Sequence, residues 1–293
     1  MSKTAALVLA ARPKTLPAAI CPVVAGSALA WRLEHTFSWL LAVATLLSTI
    51  AIQVATNYFN DAVDSAKGAD TAARIGPVRA TASGLVSRRT MLLAGLGAVL
   101  TAALFSIPLL HARGWPILGI GVVSLLFSYG YTGGPWPLAY RGMGELFVIL
   151  FFGLVAVSGT VFVHTGHWRT EALLAGLQIG SLSTALIAIN NLRDIEEDRR
   201  TGKRTLAVRT GVTAARMMIF AWLTLPYVAG WFWMMAGYGD LFFYPLPALV
   251  VAAVPVIGVF RNAPSLVYNK FLAISALHLL VWTGVFTFAC LRG

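Results

Sequence analysis

Two short acidic segments stand out in a chain that is otherwise poor in carboxylates. NYFNDAVDSAKGAD at 57–70 and NNLRDIEEDRRTGKRTLA at 190–207 each come at the end of a long apolar stretch. Only 11 of the 293 residues are acidic, and seven of these lie in the two segments. Because ionisable groups at membrane depth are costly and usually functional, both segments are candidate functional sites.

The spacing within each segment places oxygen-bearing side chains along one side of a helix. Asn57, Asp61 and Asp64 follow one another at intervals of four and three residues, which aligns them on one stripe. The second segment has the same pattern at intervals of four, with Asn190, Asp194 and Asp198. We expect the adjacent Glu196 and Glu197 to be solvated instead.

Carboxylates that face one another repel unless a cation separates them. Mg²⁺ prefers oxygen ligands and usually binds through one or two carboxylates together with substrate phosphates. Basic residues that suit phosphate oxygens follow each stripe of Asn and Asp: Lys67, Arg74 and Arg79 after the first, Lys203 and Arg204 after the second. Together the two segments predict a Mg²⁺-dependent diphosphate site.

The elements that carry these segments are expected to be membrane helices. Charged residues make up 11% of the chain, against about 25% in an ordinary soluble domain. A spanning helix needs about 20 mostly apolar residues. Nine such stretches are present, near 16–33, 39–59, 91–110, 115–132, 143–163, 171–192, 214–236, 241–260 and 271–290. The sequence therefore predicts an all-α polytopic membrane protein with a single domain over 1–293.

The net charge of +11 reflects membrane topology rather than a nucleic-acid surface. The N-terminus and the loops after even-numbered helices carry 18 of the 22 Lys and Arg residues. This asymmetry predicts a cytoplasmic N-terminus, an outer C-terminus and both acidic segments on the cytoplasmic face. The acidic segments begin at 57 and 190, four helices apart, which suggests a parallel repeat of helices 1–4 and 5–8.

A diphosphate site at the membrane face of an apolar bundle predicts a substrate with a charged head and a long apolar tail. Polyprenyl diphosphates fit this description. Metal coordination turns the diphosphate into a leaving group, and the remaining allylic cation is open to attack by an electron-rich acceptor.

In four strings the chain resembles the UbiA superfamily of intramembrane aromatic prenyltransferases. Within it, the resemblance is to the members that act on 1,4-dihydroxy-2-naphthoate in menaquinone synthesis. The strings are ARPKTLPAAICPVVAGSALA at 11–30, NYFNDAVDSAKGADTAARIGPVRATASG at 57–84, YRGMGE at 140–145 and NNLRDIEEDRRTGKRTLAVRTG at 190–211.

The resemblance implies nine helices around a central cavity in the cell (inner) membrane, with Mg²⁺ and diphosphate at its cytoplasmic end. It implies metal ligation by Asn57, Asp61, Asp64, Asp194 and Asp198, the four aspartates being the catalytic carboxylates, and a contribution to the diphosphate site by Asn190. Superfamily members commonly place a third acid of the first segment four residues after the second. Here Asp70 follows Asp64 by six, so its ligand role is less secure.

The implied reaction replaces the acceptor's carboxyl group with a polyprenyl chain, releasing CO₂ and diphosphate. Arg12 and Lys14 are candidates for binding the acceptor carboxylate, with positive-inside anchoring as the alternative. Arg141 is expected to reach the diphosphate or to pair with Glu145 four residues on. Prenyl transfer to another aromatic acceptor, such as 4-hydroxybenzoate, and a transporter remain alternative functions.

Three weaker patterns favour structural roles. Tyr129 and Tyr131 are expected to be interface anchors, although they could line the cavity. Gly176 and Gly180 form a G-x-x-x-G pattern that is typical of tight helix packing. The cysteines, Cys21 and Cys290, are expected to be free residues of the apolar core.

Overall fold

The computed structural model describes residues 2–70 and 75–293, and all regular elements in these residues are helical. The α-helices are α1 Lys3–Ala10, α2 Pro17–Glu34, α3 Trp39–Ala66, α4 Arg88–Arg113, α5 Trp115–Gly130, α6 Gly144–Val148, α7 Ala156–Thr165, α8 Thr170–Arg193, α9 Ile195–Arg200, α10 Leu206–Met235, α11 Gly239–Phe243, α12 Leu249–Arg261 and α13 Tyr268–Arg292. A π-helical stretch, Ile149–Val155, joins α6 to α7.

The predicted apolar stretches are all helical. Seven spans in the described residues are long and apolar enough to cross a membrane, or up to eight with the bent pair formed by α1 and α2. The continuous helix through α6 and α7 is one of them, and α11 with α12 forms another. The apolar helix α5, with 16 residues, is shorter than each of these seven spans. The chain is a multi-pass membrane protein.

The first span is broken by a sharp bend between α1 and α2. The two parts meet at an angle of 50°. Arg12 lies at the bend with a φ of 53° in the left-handed region, and Pro13 and Pro17 restrict the backbone on either side. The backbone groups of the bend are therefore available for contacts with neighbouring helices.

The largest buried cluster joins α2, α8, α10, α12 and α13 through residues such as Trp233, Trp282 and Phe286. In contrast, α4 and α5 present a row of exposed leucines and valines to the outside, among them Leu93, Leu96, Leu100, Leu104, Val122 and Leu126. Apolar side chains on the outside of a membrane bundle face lipid. The wall formed by α4 and α5 is thus only one helix thick.

Four loops, with the bend at 11–16, gather at one end of the bundle, which we call the polar end. The loops are 67–70 with 75–87, 131–143 and 262–267, together with the segment 194–205 that contains the short helix α9. Contacts at this end include hydrogen bonds from Lys67 to Thr132, between two of the loops, and from Arg193 at the end of α8 to Asn269 in α13. Both acidic segments lie here.

The π-helical stretch packs directly onto α8 through glycines. A methyl group on Gly153 would lie 2.4 Å from the Gly176 carbonyl oxygen and 2.6 Å from the Gly180 Cα. Because no side chain separates the two backbones, the predicted packing role of Gly176 and Gly180 is confirmed.

Replacing Gly153 with alanine is expected to lower the thermal stability of the detergent-purified protein. The added methyl group meets backbone atoms that cannot rotate away, and overpacking of this kind costs about 1–3 kcal/mol. The matched control is Gly284→Ala, because nothing lies within 4 Å of its methyl position in α13. Equal unfolding midpoints for the two variants would contradict the prediction, because the π-helical stretch and α8 could then move apart without a cost in stability.

Candidate active site

Residues 57–66 of the first acidic segment form the last turns of α3, and residues 67–70 follow the helix. Asn57, Asp61 and Asp64 are all buried. The side-chain amide of Asn57 donates a hydrogen bond to the Ala11 carbonyl oxygen at 2.9 Å. This contact fixes the bend between α1 and α2 against α3.

Asp61 binds the backbone of the loop that follows α3. Its Oδ1 accepts a hydrogen bond from the Thr81 N–H at 2.8 Å, and its Oδ2 accepts one from the Ala80 N–H at 3.2 Å. A buried carboxylate that accepts backbone N–H groups forms strong, charge-assisted hydrogen bonds. Arg79 directly precedes Ala80 in the chain, so these two hydrogen bonds of Asp61 also keep Arg79 near the other carboxylates.

Asp64 accepts contacts from three different loops. The Tyr140 hydroxyl donates to its Oδ1 at 2.8 Å, while Lys203 Nζ and Arg79 Nη2 lie 3.4 and 3.7 Å from its Oδ2. Arg79 also reaches Asp70 with its Nε, at 3.3 Å. Lys203 belongs to the second acidic segment, so its ion pair with Asp64 joins the two segments.

In the second segment, Arg193 organises the oxygens. It donates two hydrogen bonds to Asp194, from Nε at 2.8 Å and from Nη2 at 2.7 Å, in a fork-shaped pair. It also binds Asn190 Oδ1 at 2.8 Å and Asn269 Oδ1 at 2.7 Å. The guanidinium is almost completely buried, with 1% of the side chain exposed. One cation thus orients two of the predicted ligands.

The remaining acids of the second segment differ in environment. Asp198 is buried, as a ligand or catalytic residue would be. Glu196 is exposed and pairs with Arg199 at 2.9 Å, as expected. Glu197, in contrast, is buried, so the prediction that it is solvated is wrong. Its place on the inner side of the short helix α9 is the physical reason.

Two tyrosines lie between the segments. Burial, followed by the negative charge of Asp64, raises the pKa of Tyr140. Burial and then the charge of Glu145 raise the pKa of Tyr131, and Asp64 contributes to this increase. Asp198 acts on both phenols in the same direction. Both therefore remain neutral hydrogen-bond donors, and the charges of carboxylates from both segments act on them.

Lys67 adds a second ammonium group to this space. Its Nζ donates to the Thr132 carbonyl oxygen at 2.8 Å and lies 4.1 Å from the centre of the Tyr140 ring. Partial burial lowers the pKa of Lys67; the charge of Asp64 opposes this effect, and Lys203 adds to it. Lys67 and Lys203 are therefore close enough to act on one anion.

The other predicted basic residues are dispersed. Lys14 and Arg204 are exposed, and Arg12 is half-buried at the bend. The positive charge of Arg12 lowers the pKa of Tyr131, although burial and the carboxylates outweigh it. Arg12 thus lies near the space between the segments. The predicted phosphate ligand Arg74 lies outside the described residues.

Arg141 does not form the contact expected with Glu145. Its guanidinium lies 3.5 Å above the centre of the Trp136 ring. The Glu145 carboxylate instead accepts a hydrogen bond from the Asn191 side chain at 2.9 Å. The i, i+4 spacing fails here because Arg141 precedes the start of α6 and is not on the same helix.

An apolar cavity of about 130 Å³ lies inside the bundle. Its wall is formed by α3, α4, α5 and the helix through α6 and α7. Polar side chains line the α3 side, and Phe147, Phe151 and Phe152 line the opposite side. Thr56, directly before Asn57, lies at the end nearest the acidic site. The cavity can therefore hold an apolar chain whose polar head lies between the acidic segments.

The donor set fits a metal ion that is shared with a substrate. The described residues contain no group of three or more His, Cys, Asp or Glu side chains that could hold a metal by itself. Mg²⁺ needs only one or two carboxylates when phosphates and water supply the remaining ligands. The charges of Asp64 and Asp198 both act on Tyr131 and Tyr140, so carboxylates from both segments are within electrostatic range of the same phenols. These oxygens suit Mg²⁺ bound with a phosphate better than a closed protein cage.

Sequence comparison assigns the chain to a class of membrane enzymes. The profile of the UbiA prenyltransferase family matches residues 19–265, and the chain belongs to this family. It is similar to the 1,4-dihydroxy-2-naphthoate octaprenyltransferase of Haemophilus influenzae, with 39% identity over 215 residues that cover 71% of this chain and 70% of the relative. The protein of that name from Mycobacterium tuberculosis is 40% identical over 220 residues, 74% of each chain.

Solved structures confirm the predicted fold. A UbiA homolog from Aeropyrum pernix in its apo form superposes with a TM-score of 0.72 at 14% identity, over 94% of this chain and 97% of that chain. A UbiA homolog from Archaeoglobus fulgidus bound to DMAPP and Mg²⁺ gives a TM-score of 0.60 at 15% identity, over 96% and 98%. At these identities the similarity establishes the fold alone.

Removing the carboxylate of Asp61 is expected to release the 75–87 loop. In Asp61→Ala two buried backbone N–H groups lose their acceptor, and each hydrogen bond to a charged group contributes about 1.5–3 kcal/mol. Trypsin should cut after Arg79 at least tenfold faster than in the unaltered protein. Asp61→Asn retains one acceptor oxygen and should be intermediate, while Glu196→Ala should be unchanged. Equal cleavage rates in all variants would contradict the anchoring role.

Proposed function

We propose that this protein transfers a polyprenyl chain from polyprenyl diphosphate to 1,4-dihydroxy-2-naphthoate, with loss of CO₂ and diphosphate, to give demethylmenaquinone. The observation that carries the proposal is the ion pair between Lys203 and Asp64, because it joins the two acidic segments beside an apolar cavity. The acceptor is supported by the names of relatives at 35–40% identity.

The polar end supplies cations for the diphosphate head. Arg79 and Lys203 approach Asp64 from different loops, and Lys67 lies beside them. Such N–H groups form charge-assisted hydrogen bonds to phosphate oxygens. The other predicted diphosphate ligands, Asn190, Arg204 and Arg141, are assigned with less structural support, because Arg204 is exposed and Arg141 stacks on a tryptophan.

The residues that would hold Mg²⁺ are the predicted set of Asn57, Asp61, Asp64, Asp194 and Asp198. A carboxylate has about four lone-pair sites. Asp61 accepts two backbone hydrogen bonds and so retains lone pairs for a cation, and the fork-shaped pair with Arg193 fixes the orientation of Asp194. When bound, Mg²⁺ neutralises the diphosphate and makes it a leaving group.

A series of aromatic rings runs from the acidic site into the cavity. The ring of Tyr131 lies 5.2 Å from Phe147, which stacks on Phe151 at 4.6 Å. The faces of aromatic rings attract cations. We assign to these rings the stabilisation of the allylic cation and the guidance of the apolar chain, since two of them line the cavity.

The polar end faces the cytoplasm of a cell (inner) membrane in this proposal, and lipid surrounds the apolar exterior. The distribution of Lys and Arg supports this orientation, because positively charged loops remain on the cytoplasmic side. The C-terminus then lies outside. Both substrates would meet at the cytoplasmic face, where the naphthoate arrives from solution.

Loss of a carboxylate that binds the metal should abolish turnover. Asp64→Ala and Asp198→Ala are each expected to reduce the rate about hundredfold or more, because about 1.4 kcal/mol changes a rate tenfold and a metal site contributes several kcal/mol. The measurement is diphosphate release by purified protein supplied with Mg²⁺, polyprenyl diphosphate and the dihydroxynaphthoate. Glu196→Ala, exposed and outside the site, serves as the control.

The same assay tests the proposed reaction as a whole. Release of diphosphate only when 4-hydroxybenzoate replaces the naphthoate would identify a different aromatic acceptor. No release with any aromatic acceptor would favour the transporter alternative. Rates close to normal in both aspartate variants would exclude their role as metal ligands.

Arg12 is the better candidate for the acceptor carboxylate. It lies near Tyr131, whereas Arg141 stacks on Trp136 and Lys14 is exposed. A charged hydrogen bond contributes about 1.5–3 kcal/mol, or about one to two factors of ten in binding. Arg12→Gln should raise the acceptor KM about tenfold or more and leave the KM for polyprenyl diphosphate nearly unchanged. Arg141→Gln is the matched control and should leave the acceptor KM nearly unchanged. If Arg141→Gln raises the acceptor KM and Arg12→Gln does not, Arg141 is the residue that binds the acceptor carboxylate.

A further inference from the structure

The α3 side of the cavity is lined by five polar side chains. Four of them are hydroxyls that bond to backbone carbonyl oxygens: Thr45 to Leu41 at 2.7 Å, Ser48 to Ala102 at 3.1 Å, Thr49 to Thr45 at 2.7 Å and Thr56 to Ile52 at 2.8 Å. Their hydrogens are therefore committed to the helices. The fifth polar side chain is Gln53.

Gln53 has a buried acceptor for which the described residues supply no donor. The side chain is 92% buried, since 8% of its surface is exposed, and its Oε1 has no hydrogen-bond partner. Its Nε2 donates to Thr15 Oγ1 at 3.4 Å. A buried carbonyl oxygen without a donor is unfavourable, so a ligand that supplies a donor binds more tightly.

The hydrogen bonds of Thr15 fix the orientation of this amide. The Thr15 hydroxyl donates its hydrogen to the Arg12 carbonyl oxygen at 2.9 Å. Its lone pairs can then only accept, from Gln53 and from the Asn57 amide at 3.5 Å. The NH₂ group of Gln53 must therefore face Thr15, which leaves the carbonyl oxygen as the group that a ligand can use.

The position of Gln53 relates this oxygen to the reacting groups. Gln53 precedes Asn57 by four residues, so it lies about 6 Å further into the membrane along the same side of α3. The bend that carries Arg12 contacts both side chains through Thr15. An aromatic ring at the end of the cavity nearest the acidic site would thus lie beside the Gln53 oxygen and close to the bend that carries Arg12.

We propose that Gln53 Oε1 accepts a hydrogen bond from a phenolic hydroxyl of the aromatic acceptor and so selects acceptors that carry it; this inference rests on the proposed function. In 1,4-dihydroxy-2-naphthoate, the 1-hydroxyl neighbours the carboxylate and forms an internal hydrogen bond with it. The 4-hydroxyl has no such partner and is the donor available to Gln53. A site built to bind a hydroxyl rejects analogues that lack it, because its polar group is then left unpaired.

The test compares two acceptors with and without the amide. Binding of 1,4-dihydroxy-2-naphthoate and of 1-hydroxy-2-naphthoate, which lacks the 4-hydroxyl, is measured anaerobically with the purified full chain. The unaltered protein should prefer the dihydroxy compound about tenfold or more. Gln53→Met keeps the length of the side chain but removes the acceptor, and its preference should fall to about one. Gln53→Glu keeps an acceptor oxygen and should restore it.

Thr49→Val is the matched control, because Thr49 lines the same side of the cavity but its hydroxyl already bonds to the helix. It should keep the preference of the unaltered protein. The unfolding midpoint and the KM for polyprenyl diphosphate verify that each variant is folded. The comparison of the two acceptors on the unaltered protein is informative even where Gln53→Met fails to fold, since equal affinities overturn the inference directly.

Two results separate this inference from the proposed function. If the unaltered protein releases diphosphate with the dihydroxynaphthoate but Gln53→Met keeps the tenfold preference, the selection by Gln53 is wrong and the function stands. The inference is also wrong if Gln53→Met lowers kcat equally with both acceptors and leaves the preference unchanged. Gln53 would then act on the prenyl group. If the unaltered protein gives no turnover with the dihydroxynaphthoate, the function and this inference fail together.

Discussion

Compensation of buried negative charge is the constraint on which the polar end depends. Carboxylates removed from water near a membrane need cations or N–H groups close by, because an unpaired buried charge is strongly unfavourable. Lys203 and Arg79 serve Asp64, and Arg193 serves Asp194. Arg79 and Lys203 reach Asp64 from two different loops, so this acid determines how those loops fold over the bundle, whereas Arg193 directly precedes Asp194 at the end of α8. The proposed site for metal and diphosphate is therefore also the structural centre of this end.

Predictions from the sequence succeeded where the relevant interaction is local. The spacing of four and three residues from Asn57 to Asp64 predicts one helical stripe, and the apolar stretches predict the spans. The contacts of Tyr140 and Lys203 with Asp64 join residues 76 and 139 positions apart, and periodicity carries no information at that distance. The central position of Tyr131 was missed for the same reason, because an aromatic residue at a helix end also suits the membrane interface.

The roles of Arg193 and Gly144 depend on their neighbours in the fold. Arg193 ends the apolar helix α8 directly before Asp194, and the two residues form a buried ion pair. A methyl group on Gly144 would lie 2.9 Å from the Tyr131 hydroxyl oxygen. The glycine in the YRGMGE string thus allows Tyr131 to lie against the start of α6. Its role depends on a neighbour thirteen positions away, which the string itself does not reveal.

The short helix α5 also affects the lipid around the protein. Its 16 residues span about 24 Å, less than the hydrocarbon core of about 30 Å. Exposed tryptophans mark its two ends, Trp115 at its start and Trp136 in the loop that follows. Since indole rings prefer the headgroup region, a helix this short favours local thinning of the bilayer along this wall. Thinning there would bring the phosphate layer closer to the polar end, which makes the thickness of the host membrane a physical variable of the enzyme.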